Sequence, residues 1–283
     1  MARDPVLSID VKHKLSCLSW CRLAAPDAPL ASTDYEGVVS LYDPSTGRLI
    51  RDTCEHERRL WSVAFADQAR PQSFATGGDD GRVKLWNVND PCSVLTLELR
   101  ANVCAVEFQR NNPDMLAVGS ADHYARIFDL RMAQSNRPLL ELCGHTRAVS
   151  YVRWLQNPAA LVSASIDGAL KVWEGVGGSS DSLRCVRSLE GHVNERNFVG
   201  LAAGAGDAEG FLVCGSETNQ VFAYHRSSSK PIAHHAFGDD AGVHVGTRER
   251  PDYRFVSAVV WRPGTSTLLA ANSRGLTRVL ELS

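Results

Sequence analysis

Six times along the chain a short apolar segment, a polar turn and two further strand-like runs end in an aromatic or bulky residue followed by a polar one. The copies close at Tyr42-Asp43, Trp86-Asn87, Phe128-Asp129, Trp173-Glu174, Tyr224-His225 and Leu280-Glu281, at spacings from the low forties to the mid fifties. A unit this short cannot bury its own apolar face, so the copies must stack on one another, and this restricts the fold more than any other feature. The clearest copy covers residues 144–174. Residues 148–154 alternate as a half-buried strand, 161–164 form a short apolar run, and Ile166-Asp167-Gly168 is turn chemistry leading into Leu170-Lys171-Val172-Trp173.

A Gly-His opening and an aromatic-plus-acid ending are the marks of a WD40 blade, so the expected fold class is all-β, a WD40 β-propeller with six recognisable repeats. In such repeats His145, Asp167, a strand serine and Trp173 can form a buried network. Polar groups persist in a core only when paired, which makes His145 and Asp167 structural rather than catalytic. The inner-strand signals are residues 15–20, 60–65, 103–108, 149–154, 198–201 and 255–261. Two oversized connections, 175–182 and 238–253, read as surface loops. One domain over residues 1–283 is expected, with the repeats in 14–282. Because the last repeat stops after its third strand, residues 5–11 are expected to supply the missing strand and close the ring.

The chain has 283 residues and a net charge of -2, which argues against a general nucleic-acid binder. No segment approaches the roughly 20 apolar residues of a membrane span, and the N-terminus lacks a signal-peptide layout, so a soluble intracellular protein without membrane partners is expected. Eight cysteines without a C-x-x-C pair read as small core residues, with no metal or other cofactor. His56-Glu57, His234-His235 and Asp79-Asp80 are the candidate catalytic or metal groups. Each lies in turn or loop patterning with no partner at recognisable spacing, so no enzyme activity is expected.

Several stretches carry more than repeat patterning: Lys14-Leu-Ser-Cys-Leu-Ser-Trp20, Glu55-His-Glu-Arg-Arg-Leu-Trp61, Gly119-Ser-Ala-Asp-His123, Asn197-Phe-Val-Gly-Leu201 and Gly215-Ser-Glu-Thr-Asn219. From about Lys14 onward the chain resembles the propeller of the constitutively photomorphogenic ubiquitin ligases and their suppressor-of-phytochrome-A partners. That resemblance implies a top face that binds acidic peptides bearing a Val-Pro pair, on transcription factors and photoreceptors, in light signalling and ubiquitination. By matching motif, the implied peptide-binding residues are Lys14, Tyr35, Arg59, Trp61, His123, Arg147 and Phe198. The rings would grip Val-Pro and the cations would meet the carboxylates. Phe128-Asp129-Leu130-Arg131 is similar to the ending through which some propellers engage a cullin-4 ligase adaptor, which implies adaptor docking at Asp129 and Arg131. Coiled-coil ligase partners are also implied, as is a location in nucleus and cytosol. The sequence departs from that family in having no RING, kinase-like or coiled-coil segment before Lys14 and one blade fewer than the usual seven. It is therefore expected to act as propeller-only repressors of UV-B photomorphogenesis do, as recruiter or competitor. The alternative is a generic protein-interaction scaffold with an impaired pocket.

Overall fold

A computed structural model describes residues 7–22, 28–67, 69–155, 160–175, 182–238, 254–262 and 264–282. The chain divides into two compact units, Met1–Cys143 and Gly144–Ser283, each holding three antiparallel sheets. In the first unit the sheets are β1 (Leu15–Trp20), β2 (Leu30–Asp34), β3 (Val39–Tyr42) and β4 (Leu49–Thr53); β5 (Leu60–Phe65), β6 (Ser73–Gly78), β7 (Arg82–Asn87) and β8 (Leu95–Glu98); and β9 (Val103–Gln109), β10 (Asn112–Ser120), β11 (Ala125–Asp129) and β12 (Leu140–Leu142). The second unit holds β13 (Val149–Trp154), β14 (Ala160–Ser165), β15 (Leu170–Gly175) and β16 (Leu183–Leu189); β17 (Leu201–Ala203), β18 (Phe211–Gly215), β19 (Gln220–His225) and β20 (Ala233–Ala236); and β21 (Val256–Trp261), β22 (Thr267–Asn272) and β23 (Thr277–Glu281). Each sheet is a simple meander in chain order. The chain is thus all-β, with six propeller blades.

Stacking explains the burial pattern within each unit. The middle strands of an internal blade are buried on both faces, as in Phe74-Ala75-Thr76-Gly77-Gly78 of β6 and Val83-Lys84-Leu85-Trp86 of β7. Leu97, Val103, Val106, Leu116 and Phe128 join the second blade to the third, and Leu170, Val172, Leu201, Leu212 and Tyr224 join the fourth to the fifth. Blades approach so closely that one strand position must stay small. A Cβ on Gly77 would lie 2.3 Å from Val103 Cγ1, and one on Gly215, at the corresponding position of β18, would lie 2.2 Å from the Val256 carbonyl oxygen. The last blade breaks the pattern. Leu269 is 43% exposed and its partner Val279 71%, whereas the pair in the same register two blades earlier, Val162 and Val172, is fully buried.

The buried network expected in the fourth blade is present. Trp173 Nε1 donates to Ser163 Oγ at 2.8 Å, Ser163 Oγ lies 2.7 Å from His145 Nε2, and His145 Nδ1 lies 2.9 Å from Asp167 Oδ2. An indole N–H can only donate, so in the chain of bonds with neutral His145 the serine proton goes to Nε2, leaving Nδ1–H for Asp167. Burial alone would raise the Asp167 carboxyl. Bonds from His145 and the Thr146 and Ala169 amides outweigh it and bring it down to about 2. The second blade repeats the set with Trp86, Thr76, His56 and Asp80 at 2.8, 2.8 and 2.7 Å. This absorbs His56 and Asp80, two of the groups considered for catalysis, into structural roles.

In the fifth blade the network is reduced. His192 Nδ1 reaches only the Tyr224 hydroxyl at 3.0 Å, because Cys214 stands at the serine position. Burial brings His192 down to about 4, with the Asp167 charge pulling the other way. An unfolded histidine titrates near 6.5, so between these values the unfolded chain binds the extra proton and stability falls as pH drops. A loss on the order of 2 kcal/mol is expected from pH 6.5 to pH 4. Urea unfolding should show it in the native sequence and a much flatter profile in His192→Gln; equal slopes would remove the assignment to His192.

Three expectations are corrected. The fifth inner strand begins at Leu201, not at Phe198, because residues 195–197 are drawn into a loop held by Glu217. The described part of the expected closing strand, residues 7–11, forms no strand: Leu7 packs at Gly47 in the first blade, and among the described residues the last sheet has three strands. Pro5 and Val6 lie outside the described residues, as do most of the loops 175–182 and 238–253. Of the eight cysteines only Cys21, Cys104 and Cys214 are buried. Cys54, Cys92, Cys143 and Cys185 are exposed because they fall in outer strands or the connections beside them, where one side faces water.

Candidate functional site

One hydrogen bond recurs at the same end of every blade of the first unit, between the residue before the inner strand and the first residue of the turn after the second strand. Tyr35 N donates to Lys14 O at 3.1 Å, Asp79 N to Arg59 O at 2.8 Å, and Ala121 N to Asn102 O at 2.9 Å. Lys14, Arg59 and Asn102 are therefore equivalent positions, and so are Tyr35, Asp79 and Ala121. The Tyr35 turn is fixed by Asp34 Oδ1, which accepts the Glu36 and Val38 amides at 2.9 Å each, and by Gly37 at φ 88°.

On this frame four of the expected residues come together. Lys14 Nζ lies 4.5 Å and Arg59 Cζ 4.3 Å from the centre of the Tyr35 ring, and Arg59 is also 5.1 Å from the Trp61 ring. Tyr35 and Trp61 meet edge to face at 5.6 Å. Each cation over a ring contributes about 0.5–1 kcal/mol at such a partly exposed site. Arg59 Nε is shielded from water and has no hydrogen-bond partner. The result is an apolar wall of two half-buried rings with two positive charges above it. His123 sits exposed in the β10–β11 turn at φ 77° and makes none of these ring contacts.

In the second unit, Arg147 Nη1 donates to the Ile166 carbonyl at 3.2 Å and the Glu195 carbonyl at 2.9 Å. Phe198 is half-buried edge to face with Tyr151 at 6.4 Å, and Tyr151 in turn lies under Arg153 at 5.5 Å. Glu217 Oε1 accepts the amides of Glu195, Arg196 and Asn197 at 3.1, 2.7 and 2.6 Å. Burial works against its charge, but these amides hold its carboxyl below the usual range. Glu217 and Arg147 thus anchor the loop that carries Phe198.

Arg131 grips Asp129 through two bonds, Nε to Oδ1 at 2.9 Å and Nη2 to Oδ2 at 2.6 Å, and stands on the surface. Of the rival catalytic groups, Glu57 pairs with Arg82 at 2.7 Å and His234 stacks on Phe222. Among the described residues no group of three or more His, Cys, Asp or Glu is placed to hold a metal ion. Two residues at the site were missed as contributors: Asp79, which accepts the Trp61 indole N–H at 2.6 Å, and Asn102, which donates to the same carboxylate oxygen at 2.8 Å. Counting from each blade's inner strand would have placed both on the same rim as Lys14 and Tyr35.

Blades built on this network, with a polar and aromatic rim, define a WD40-repeat protein. Residues 47–87 and 136–174 match the WD domain, G-beta repeat family. The chain is 40% identical over all its length to E3 ubiquitin-protein ligase COP1 of Pisum sativum, of which it spans 39%, and 38% identical over 98% of its length to protein SUPPRESSOR OF PHYA-105 1 of Arabidopsis thaliana, of which it spans 26%. It is 38% identical over 94% of its length to WD repeat-containing protein RUP2 of Arabidopsis thaliana, and here it spans 71% of the relative. The chain belongs to the WD40 propeller family that these proteins share, and it is a non-catalytic member of the WD-repeat class.

Proposed function

We propose that this protein is a docking propeller that binds acidic peptides carrying a Val-Pro pair, and that it recruits such proteins to a ubiquitin ligase assembly in light signalling or competes for them there. The observation that supports this reading is the cluster of Lys14, Tyr35, Arg59 and Trp61: two rings in edge-to-face contact form an apolar wall, and two cations stand over it. Carboxylates on the peptide would meet these donors in charge-assisted bonds, and a proline in the ligand arrives already ordered. His123 is a further proposed contact from the same unit, and Arg147 and Phe198 are proposed contacts in the second. The exposed Asp129–Arg131 pair is the proposed position of an adaptor contact. Nucleus and cytosol are the proposed location.

The test is calorimetric titration with a short acidic Val-Pro peptide, with Ala-Ala in place of Val-Pro and with amides in place of the acidic side chains. Binding of the first peptide and loss with both controls supports the reading. No binding of the first leaves a general interaction scaffold instead, and binding of the Ala-Ala control at equal strength shows charge attraction without a motif.

A further inference from the structure

We infer that Asp79 is the positioning residue of this site: held by Asn102, it fixes the Trp61 indole in the orientation that meets Tyr35, so that the apolar wall is set before a ligand arrives. The inference rests on the peptide-docking reading and names the device that presets it.

Trp61 is half-buried at the start of β5, and an indole offers one polar atom, a donor only. That donor ends 2.6 Å from Asp79 Oδ1, while the ring meets Tyr35 edge to face at 5.6 Å. The ring is therefore tied by a hydrogen bond and braced by a neighbouring aromatic. Asp79 is itself held. Its amide is bonded to the Arg59 carbonyl at 2.8 Å, and its Oδ1 receives Asn102 Nδ2 from the blade behind at 2.8 Å. The carboxylate thus ties the start of the third blade to the rim of the second.

Position in the repeat adds an independent argument. The same turn site holds Tyr35 in the first blade and Ala121 in the third, so the backbone geometry alone does not call for an acid there. Both bonds use one oxygen, and Oδ2 has no partner among the described residues. What the indole needs is an acceptor, not a charge. Asparagine can supply the same oxygen in the same geometry, whereas alanine removes the acceptor that the Trp61 indole N–H and Asn102 Nδ2 share.

Asp79→Asn, Asp79→Ala and Asn102→Ala would be compared by calorimetry with the acidic Val-Pro peptide, and by NMR of the Trp61 indole N–H in the free protein, assigned with Trp61→Phe. Asp79→Ala should weaken the peptide by about tenfold, Asn102→Ala by less, and Asp79→Asn should bind within about threefold of the native protein, since the acceptor is kept. The indole proton should exchange slowly with solvent in the native and Asp79→Asn proteins and fast in Asp79→Ala. Native affinity in Asp79→Ala, or an Asp79→Asn variant as weak as Asp79→Ala, would overturn the inference. If Asp79→Ala does not fold, Asn102→Ala carries the test, and unchanged affinity together with unchanged indole exchange would overturn it. A native protein that ignores the peptide defeats the docking reading alone; the exchange rate of the indole proton still decides the role of Asp79.

Discussion

Tyr35→Ala is expected to weaken an acidic Val-Pro peptide by about 2–4 kcal/mol, or at least about thirtyfold, in calorimetric titration. The size follows from what the ring does. Both Lys14 and Arg59 sit over it, and it meets Trp61 edge to face, so one truncation takes away half the apolar wall and the platform of both cations. Trp61→Ala should cost about as much, the scale of an aromatic hot spot. Both rings are half-buried at a rim and not in a core, so the melting temperature should fall by only the several degrees that about 1–2 kcal/mol of lost ring contacts implies. If both variants keep native affinity while the native protein binds, the peptide sits elsewhere.

His145→Ala is expected to destabilise the protein by about 3–4 kcal/mol in chemical unfolding, the range seen when one member of a buried, partly ionic set is deleted. The imidazole bridges Ser163 and Asp167, and both remain behind with their bonds unmade. Ser163 is fully buried, and the Asp167 carboxylate keeps its charge at neutral pH. His56→Ala, at the matching position of the second blade, should behave alike. Peptide affinity measured well below the unfolding transition should hardly change. A loss below about 1 kcal/mol would show that water replaces the ring at little cost.

The repeat was legible because its signals are local. Strand alternation, turn residues and the closing aromatic lie within a few residues of one another, and five of six inner strands begin within one residue of the expected position. The fifth did not, because Glu217 reaches across to hold the backbone of residues 195–197, a long-range bond that no window of sequence displays. Cysteine burial failed for a similar reason. Apolar patterning marks a strand, but whether a strand is inner or outer decides exposure, and Cys185 sits on an outer one. At the candidate site, motif likeness supplied Lys14, Tyr35, Arg59 and Trp61. Asp79 was noticed only as one of two adjacent acids. Its neighbour Asp80 bonds His56 and supports the core, while Asp79 itself points to the rim; the two diverge because successive turn residues face different ways.

The bare side chains of Leu269 and Val279 bear on how the second unit comes apart. A blade covered on both faces surrenders two interfaces when it unfolds, but β21–β23 leave one of theirs in water and have less to lose. In a linear array with nearest-neighbour energetics, melting starts where the coupling is weakest. Amide hydrogen exchange in this unit is therefore expected to be fastest in β21–β23.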